Sequence, residues 1–266
     1  MSGRIQFEQQ AGVARVTLSH PARFNAMSRA MWRELRAVFE RVQNSKDVRC
    51  VLIGGAYGNF CAGGDISEYA DFRFQEASLR DFHENDVWGG LQAMLLCDVP
   101  VVAQIEGNCM GAGLEIASCC DIRLASESAL FGAPIARLGF PMAPLEAALV
   151  AREVGLLVAR QMLLEAAIFS ATDMKAAGFL SRVLPHSQLA VEAQATSLRI
   201  AALAPQAARL NKQALRALNS PLALTNIGQH AINMVADHVA NPYAYANSTE
   251  HREGILAFLE KRKPAF

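Results

Sequence analysis

Glu115 is the residue of this chain whose type and surroundings point most directly to chemistry. It lies within EGNCMGAGLEIASCCDI, residues 106–122, where one glutamate sits in an otherwise apolar helix that begins at a glycine-rich turn. Apolar neighbours disfavour the charged carboxylate, so we expect them to raise its pKa. Such a carboxyl group can transfer protons as a general acid or base. The structural alternative is a solvated glutamate on an exposed helix face.

The turn before Glu115 is suited to hold an oxygen that becomes negative. VPVVAQI, residues 99–105, is a continuous apolar run typical of a buried parallel strand, so the turn follows a strand's carboxyl end. Gly111 and Gly113 have no side chain to block close approach of a ligand. The first N–H groups of the helix lack internal partners, and the helix dipole favours an anion beside them.

A second glycine turn, GNFCAGGDI at residues 58–66, also follows a buried strand and is predicted to open a helix. If the two turns lie side by side, one N–H from each converges on one oxygen and forms an oxyanion hole from backbone alone. A thioester carbonyl becomes an enolate when its α carbon loses a proton or its β carbon gains a nucleophile. Two such donors would stabilise that charge.

Composition excludes several classes of function. The chain has 266 residues, 52% hydrophobic and 19% charged, enough for one large domain or a domain with an appendage. Lys plus Arg and Asp plus Glu are both 25, so no net charge favours nucleic acid or an anionic membrane. We find no secretory leader pattern and no run near the ~20 apolar residues of a membrane span, and we expect a cytoplasmic protein. The six cysteines lack paired metal-ligand spacing, so buried free thiols are favoured over zinc or disulfides.

The elements that must position the turns follow from hydrophobic periodicity. A hairpin is predicted at Ile5–Gln10 and Val13–Leu18, and Ser28 is predicted to cap an amphipathic helix. Further strands are predicted at residues 48–54, 101–105, 122–125 and 129–131. Strand, turn and helix recur at intervals that indicate stacked structural repeats, although no repeat is detectable in the sequence itself.

After Pro144 the pattern changes to helices, with residues 182–184 as the one strand-like segment. The predicted helices are 146–164, 172–177, 189–203, 205–218, 221–239 and 243–261. A change of composition near Pro185 divides a sheet-bearing core, residues 1–185, from a helical region, residues 186–266. Alanines and leucines on several faces of that region suit packing between subunits, so we expect an oligomer.

Taken together, the motifs resemble the enoyl-CoA hydratase/isomerase family, also called the crotonase family. The resemblance covers nearly the whole chain and includes HPARFNAM, FCAGGDI, GNCMGAGLEIASCCDI, FGAPIARLGFP and REGILAFLEKRKPAF in this order. It implies an α/β fold: a spiral of ββα repeats, then a C-terminal helical trimerisation region, in trimers that often pair into hexamers. It also implies acyl-CoA substrates, no metal, and no separate cofactor, because coenzyme A is part of the substrate.

The resemblance also implies roles for individual residues. The N–H groups of Ala62 and Ala112 match the oxyanion donors, and Glu115 matches the first of two glutamates in family hydratases. The residues that match the walls of the acyl-CoA site are Arg23, Phe24, Gly63, Gly64, Asp65, Ile66, Gly111 and Ile135. Phe258 and Lys261 match positions that reach the nucleotide of a neighbouring subunit. For Asp65 the favoured role is a helix N-cap, and for Lys261 a solvated helix end is an equal alternative.

The sequence departs from the family at the second glutamate. Family hydratases carry FGxPE, whereas this chain has FGAPI with Ile135, which cannot transfer a proton. The following glycine turn is altered to FPMAPLE, and Glu146 is a candidate replacement acid. Because Glu146 follows Pro144, a structural role at a helix start is favoured. Tyr69, His83 and Glu84 are expected to cover the acyl group, but spacing selects none of them.

The predicted function is therefore an enoyl-CoA hydratase in which Glu115 is the general base that activates water. The alternatives are an isomerase or lyase that works through the same enolate with one carboxylate, and a catalytically weak acyl-CoA-binding oligomer, which the loss of the second glutamate favours. A serine hydrolase and a dinucleotide-binding protein are disfavoured because neither GxSxG nor GxGxxG is present.

Overall fold

Two β-sheets and the helices packed around them make up the fold. The computed structural model describes residues 2–218 and 244–266. Its strands are β1 (Arg4–Gln10), β2 (Val13–Ser19), β3 (Cys50–Gly55), β4 (Val101–Ile105), β5 (Asn108–Met110), β6 (Ile122–Ser126), β7 (Leu130–Gly132), β8 (Ile168–Ser170) and β9 (Arg182–Leu184).

The α-helices in these ranges are α1 (Arg29–Gln43), α2 (Glu76–Asp81), α3 (Trp88–Leu96), α4 (Ala112–Ser118), α5 (Pro144–Val154), α6 (Leu156–Leu164), α7 (Ala171–Ala176), α8 (His186–Ala201), α9 (Pro205–Leu218) and α10 (Thr249–Leu259). Short 3-10 helices cover Pro21–Arg23, Ile66–Asp71, Pro134–Leu138 and Ala244–Asn247. A π-helical turn, Phe82–Val87, leads directly into α3. No helix in the described ranges is long and apolar enough to cross a membrane.

The larger sheet has the order β1-β2-β3-β4-β6-β9, and the smaller has the order β5-β7-β8. In the larger sheet β1 is antiparallel to β2, and every other neighbouring pair is parallel. The units β4-β5-α4 and β6-β7-α5 each place their first strand in the larger sheet and their second in the smaller. These units are the stacked repeats that the sequence pattern predicts.

The central strands of the larger sheet are buried on both faces. Alternate residues of β3 face opposite sides: Val51 and Ile53 join one core cluster, and Cys50 and Leu52 join the other. The second cluster is completed by Leu189 and other residues of α8. The boundary predicted at residue 185 therefore falls just before a helix that packs on the same sheet as the rest of the core.

Several predicted elements are confirmed. The hairpin forms β1 and β2, and the Ser28 side chain accepts a hydrogen bond from the Met31 N–H as the N-cap of α1. All six cysteines are free and buried. These predictions succeed because alternation, capping chemistry and the burial of free thiols depend on local sequence.

Other predicted elements need correction. The helix predicted over 146–164 is two helices, because Gly155 has φ 82° between α5 and α6. The helix predicted to follow the turn at residues 58–66 is confirmed, and it is a 3-10 helix. Strands β5 and β8 were not predicted, and β5 lies within the segment that was interpreted as the glycine-rich turn before α4. The helix predicted at 221–239 lies outside the described residues, and so does the start of the helix predicted at 243–261. The described part of that second helix is α-helical only over Thr249–Leu259.

The junction between α4 and the chain after β3 leaves no room for a side chain at position 113. A Cβ on Gly113 would lie 2.6 Å from the Cys61 carbonyl oxygen, whereas one on Gly89 in α3 would lie 3.4 Å from a nitrogen of the flexible Arg36 side chain. We expect Gly113→Ala to lower the free energy of unfolding by about 1 to 3 kcal/mol, the usual cost of overpacking.

Gly89→Ala is the matched control, because alanine replaces a helical glycine there without a backbone collision. Its free energy of unfolding should be unchanged or up to about 1 kcal/mol higher. Urea denaturation of both variants measures the difference. Equal stability of the two variants would contradict the close contact of α4 with Cys61.

Candidate active site

The two glycine turns lie side by side because the chain segments before them pair in parallel. The Phe60 N–H donates to the Glu106 carbonyl at 2.7 Å, and the Cys61 N–H donates to the Asn108 carbonyl at 2.8 Å. The Met110 N–H donates back to the Cys61 carbonyl at 2.9 Å. The pairing fixes the register of one turn against the other.

Gly63 and Gly111 form the contact between the turns. Their φ angles are 118° and 47°, in the region that residues with a side chain rarely adopt. A Cβ on Gly111 would lie 3.6 Å from the Gly63 Cα, so the two backbones are in close approach. Glycine is therefore required at both positions by conformation.

The N–H of Ala62 is already used in the fold. It donates to the Phe24 carbonyl oxygen at 3.0 Å. A backbone N–H held in this way is not free to bind a ligand oxygen. The assignment of the first oxyanion donor to Ala62 therefore needs correction.

Gly64 is the better placed donor of this turn. The Met27 N–H donates to the Gly63 carbonyl at 2.8 Å, and the Asp65 N–H donates to the Met27 carbonyl at 2.9 Å. Met27 and Gly64 thus form a parallel β-bridge, and in such a bridge the N–H of Gly64 itself points away from Met27. Gly64 also lines the cavity described below.

Ala112 supplies the matching donor of the other turn. It is the first residue of α4, after Gly111 at the N-cap, so its N–H has no acceptor within the helix. Ala112 lines the same cavity as Gly64. The two turns thus bring one available N–H each to one space, with the positive end of the α4 dipole beside it.

The HPARFNAM motif holds the first turn in place through Asn25. The Asn25 Nδ2 donates to the carbonyl oxygens of Ala56 and Asn59, both at 2.7 Å, and its Oδ1 accepts from the His20 N–H at 3.0 Å. Asp65 caps the following 3-10 helix, accepting from the Ser67 N–H at 3.1 Å. The N-cap role favoured for Asp65 is confirmed.

A cavity of about 300 Å³ opens beside the two turns. It is lined by Ala62, Ala112, Glu115 and Glu146, and by the predicted wall residues Gly63, Gly64, Ile66, Gly111 and Ile135. The predicted residues that do not line it are Arg23, Phe24, Asp65, Phe258 and Lys261. Phe258, on α10, is 82% exposed. Its predicted contact with a neighbouring subunit's nucleotide stays a prediction.

Glu115 is the fourth residue of α4, and only 6% of it is exposed. Burial, and secondly the negative charge of Glu146, raise the pKa of the Glu115 carboxyl well above its usual range. The neutral acid is therefore the favoured form of Glu115 when Glu146 is charged. This agrees with the effect predicted from its apolar neighbours.

Glu146 lies in the same cavity and is paired with a histidine. It is the third residue of α5 and 3% exposed, and its two carboxylate oxygens lie 2.9 and 3.2 Å from the His83 Nδ1. The Arg73 Nη2 lies 3.4 Å from the His83 Nε2. Arginine can only donate, so Nε2 is assigned as the acceptor and Nδ1–H as the donor to Glu146.

Three residues were expected to cover the acyl group. Tyr69 and His83 line the cavity, and Glu84 does not. Glu84 is exposed and pairs with Arg80 at 3.1 Å. A Cβ at Gly64 would collide with the Tyr69 hydroxyl, so that hydroxyl lies directly beside the first donor. Burial raises the pKa of Tyr69, which keeps the phenol protonated and able to donate.

The cavity therefore brings together two backbone donors, two carboxyl groups and a phenol. Such a set can stabilise a developing oxyanion and move protons beside it. Within the described ranges no group of three or more His, Cys, Asp or Glu side chains could hold a metal ion. Arg73, which also lines the cavity, gave no signal in the sequence, where it is one arginine in a polar and aromatic segment.

Comparison with known proteins places the chain among acyl-CoA enzymes. The family described as enoyl-CoA hydratase/isomerase matches residues 8–266. The short-chain-enoyl-CoA hydratase of Clostridium acetobutylicum is 31% identical over 262 residues, covering 97% of this chain and 95% of that protein.

Solved structures agree with this. An enoyl-CoA hydratase/carnithine racemase from Magnetospirillum magneticum is similar, with a TM-score of 0.89 and 34% identity over 98% of this chain and 94% of that one. Human enoyl-CoA hydratase domain-containing protein 3 has a TM-score of 0.83 and 26% identity over 98% of this chain and 99% of that one. The crotonase-like α/β fold is thereby confirmed.

The raised pKa of Glu115 predicts a pH-dependent stability difference. The folded protein keeps a proton that the unfolded chain releases near pH ~4.3, so Glu115 makes the protein less stable as pH rises from there toward the folded pKa. Glu115→Gln removes this effect. We expect the stability of the variant relative to the wild type to increase between pH 5 and pH 8. Urea denaturation at both pH values tests this, and a constant difference would show that the Glu115 pKa is not raised.

Proposed function

Because the chain belongs to the enoyl-CoA hydratase/isomerase family, we propose that it hydrates a 2-enoyl-CoA whose thioester oxygen binds between the N–H groups of Gly64 and Ala112. The observation that carries this proposal is the second buried carboxyl, Glu146, in the same cavity as Glu115. It supplies the acid or base that Ile135 cannot provide.

The two turns would act on the charge that forms during the reaction. Attack on the β carbon moves electrons through the α carbon to the thioester oxygen, which becomes an enolate oxygen. Preorganised backbone donors stabilise such a charge without rearrangement, and they do so more strongly in a cavity with little water. The dipole of α4 acts in the same direction at Ala112.

The electrostatics of the two carboxyls support a division of roles. Glu146 accepts a hydrogen bond from His83 in the first turn of α5, and we assign it as the base that takes a proton from water. Glu115, with a raised pKa, is the proton donor. This reverses the base role that the sequence predicted for Glu115.

The resulting reaction balances. Glu146 removes a proton from water, and the hydroxyl oxygen bonds to the β carbon as the double bond shifts toward the thioester. The enolate then collapses as the α carbon takes the proton of Glu115. Transfer of the proton from Glu146 to Glu115 restores the starting state. Coenzyme A serves here as part of the substrate.

An isomerase or lyase is the second candidate, since Ile135 removes the glutamate of the family motif and a single carboxylate would suffice for those reactions. The pairing of Glu146 with His83 favours hydration over this candidate and over a non-catalytic acyl-CoA-binding oligomer. We also propose the trimer or hexamer implied by the resemblance. Exposed apolar side chains on α6 and α10 support it, namely Leu156, Leu157, Leu164, Phe258 and Leu259.

The first test is turnover of crotonyl-CoA and 2-hexenoyl-CoA, followed by loss of conjugated thioester absorbance and by mass spectrometry. We expect a product heavier by one water. Glu115→Gln and Glu146→Gln should each lower kcat by about 10² to 10⁴, the usual contribution of general acid–base catalysis. Glu84→Gln is the control, because Glu84 is exposed and outside the cavity. Full activity of Glu146→Gln would exclude hydration by two carboxyls.

Ala112→Pro tests the oxyanion donors. Proline is favoured at the first position of a helix, where its ring replaces the N–H without breaking a hydrogen bond of the helix, so α4 should form normally. We expect kcat to fall by about 10² to 10³, as for other lost oxyanion donors. Thermal unfolding of the variant checks its fold. A well-folded Ala112→Pro with wild-type kcat would show that this N–H does not bind the thioester oxygen.

A further inference from the structure

Arg73 places a positive charge in the cavity beyond the groups that hydration requires. Its guanidinium carbon lies 4.3 Å from the Tyr69 ring centroid and 3.9 Å from that of Phe140. Its polar contacts within the described part of the chain are the 3.4 Å approach to the His83 Nε2 and a hydrogen bond with the Tyr69 hydroxyl. A planar guanidinium held between two rings is preorganised, and most of its five N–H donors are left for a ligand.

Arg29 lies against a neighbouring aromatic ring in the same way, but a carboxylate of the protein is its counter-ion. Its guanidinium lies 5.0 Å from the Phe72 ring centroid and also hydrogen bonds with Asp81 at 2.9 Å. Tyr69 packs edge-on against Phe72 at 5.9 Å, so the two arginines contact one continuous set of rings. Arg73 has the stacking but forms no salt bridge with a carboxylate among the described residues.

The position of Arg73 relates it to the acyl group. The Tyr69 hydroxyl lies beside Gly64, the proposed donor to the thioester oxygen, while the face of the same ring lies against the Arg73 guanidinium. One tyrosine side chain therefore separates the thioester site from the cation. A short acyl chain spans such a distance, so its far end would meet the guanidinium.

We propose that the substrate is a short 2-enoyl-CoA whose acyl group ends in a carboxylate, and that Arg73 binds this carboxylate. The guanidinium fork matches two carboxylate oxygens at once. Glu115 and Glu146 also face the cavity, but only one negative charge remains when Glu115 is protonated and Glu146 is charged. Arg73 offsets that charge and allows an anionic chain to enter. This inference rests on the proposed hydration.

The test compares 2-hexenedioyl-CoA, which ends in a carboxylate, with 2-hexenoyl-CoA and with the methyl ester of the hexenedioyl chain. We expect the wild type to prefer the carboxylate by about tenfold or more in kcat/KM, the scale of a lost charged hydrogen bond. Arg73→Met should abolish this preference, and Arg73→Lys should restore part of it. Arg80→Met, an exposed arginine paired with Glu76 and Glu84, should keep the preference.

Calorimetric binding separates this inference from the proposed function. If none of the thioesters is hydrated but 2-hexenedioyl-CoA binds more tightly than 2-hexenoyl-CoA through Arg73, hydration is wrong and the carboxylate site stands. Equal hydration of both chains by the wild type would overturn the carboxylate site and leave hydration intact. Arg73→Met could also bind free coenzyme A more weakly than the wild type does, with equal losses for the two acyl chains. That result would assign Arg73 to a phosphate of coenzyme A and would also overturn the proposal.

Discussion

The structure of the site depends on one backbone contact, the close approach of two glycine turns after neighbouring segments have paired. The hydrogen bonds from Phe60 and Cys61 to residues 106 and 108 set the register, and Gly63 and Gly111 allow the approach because both have positive φ. A side chain at either position would strain the backbone, because residues other than glycine rarely adopt these φ angles. The position of each donor N–H is therefore fixed by the two sheets, and the site is preorganised before any ligand arrives.

The second constraint is electrostatic. Two buried carboxyl groups line one cavity, and they cannot both be charged without a large free-energy cost. The structure resolves this by giving Glu146 a hydrogen bond from His83 and leaving Glu115 in apolar surroundings, which raises its pKa. The two groups thereby differ in environment although they are chemically identical. An acid and a base of this kind are what the addition of water to a double bond requires.

In the proposed reaction, Glu146 on the next helix replaces the glutamate that the family resemblance implies at position 135. Ile135 lies in the Pro134–Leu138 helix at the cavity wall, and Glu146 enters from the first turn of α5. The packing of the aromatic residues Tyr69, Phe82 and Phe140 around the same space holds His83 and Arg73 in reach. The cavity therefore contains two carboxyl groups, one from α4 and one from α5, although position 135 is isoleucine.

Much of the fold could be predicted because its signals are local. The hairpin, the Ser28 cap, the turn before Glu115 and the effect of apolar neighbours on its pKa all follow from adjacent residues. The donor of the first turn could not be assigned correctly, because the choice between Ala62 and Gly64 depends on pairing with Phe24 and Met27. The bond between His83 and Glu146 joins residues 63 positions apart, and no periodicity reports such a contact. The break at Gly155 was missed because one glycine within a helical pattern is ambiguous.

The most direct measurement of the central claim is the vibrational frequency of the bound thioester carbonyl. Crotonyl-CoA labelled with ¹³C at that carbon would be bound to the Glu146→Gln variant and examined by infrared difference spectroscopy. Two donors at the oxygen should polarise the carbonyl and lower its stretching frequency relative to the free thioester in water, and Ala112→Pro introduced into that variant should reverse part of the shift. An unshifted carbonyl in a saturated complex would contradict the assignment of Gly64 and Ala112 as the groups that hold the reacting oxygen.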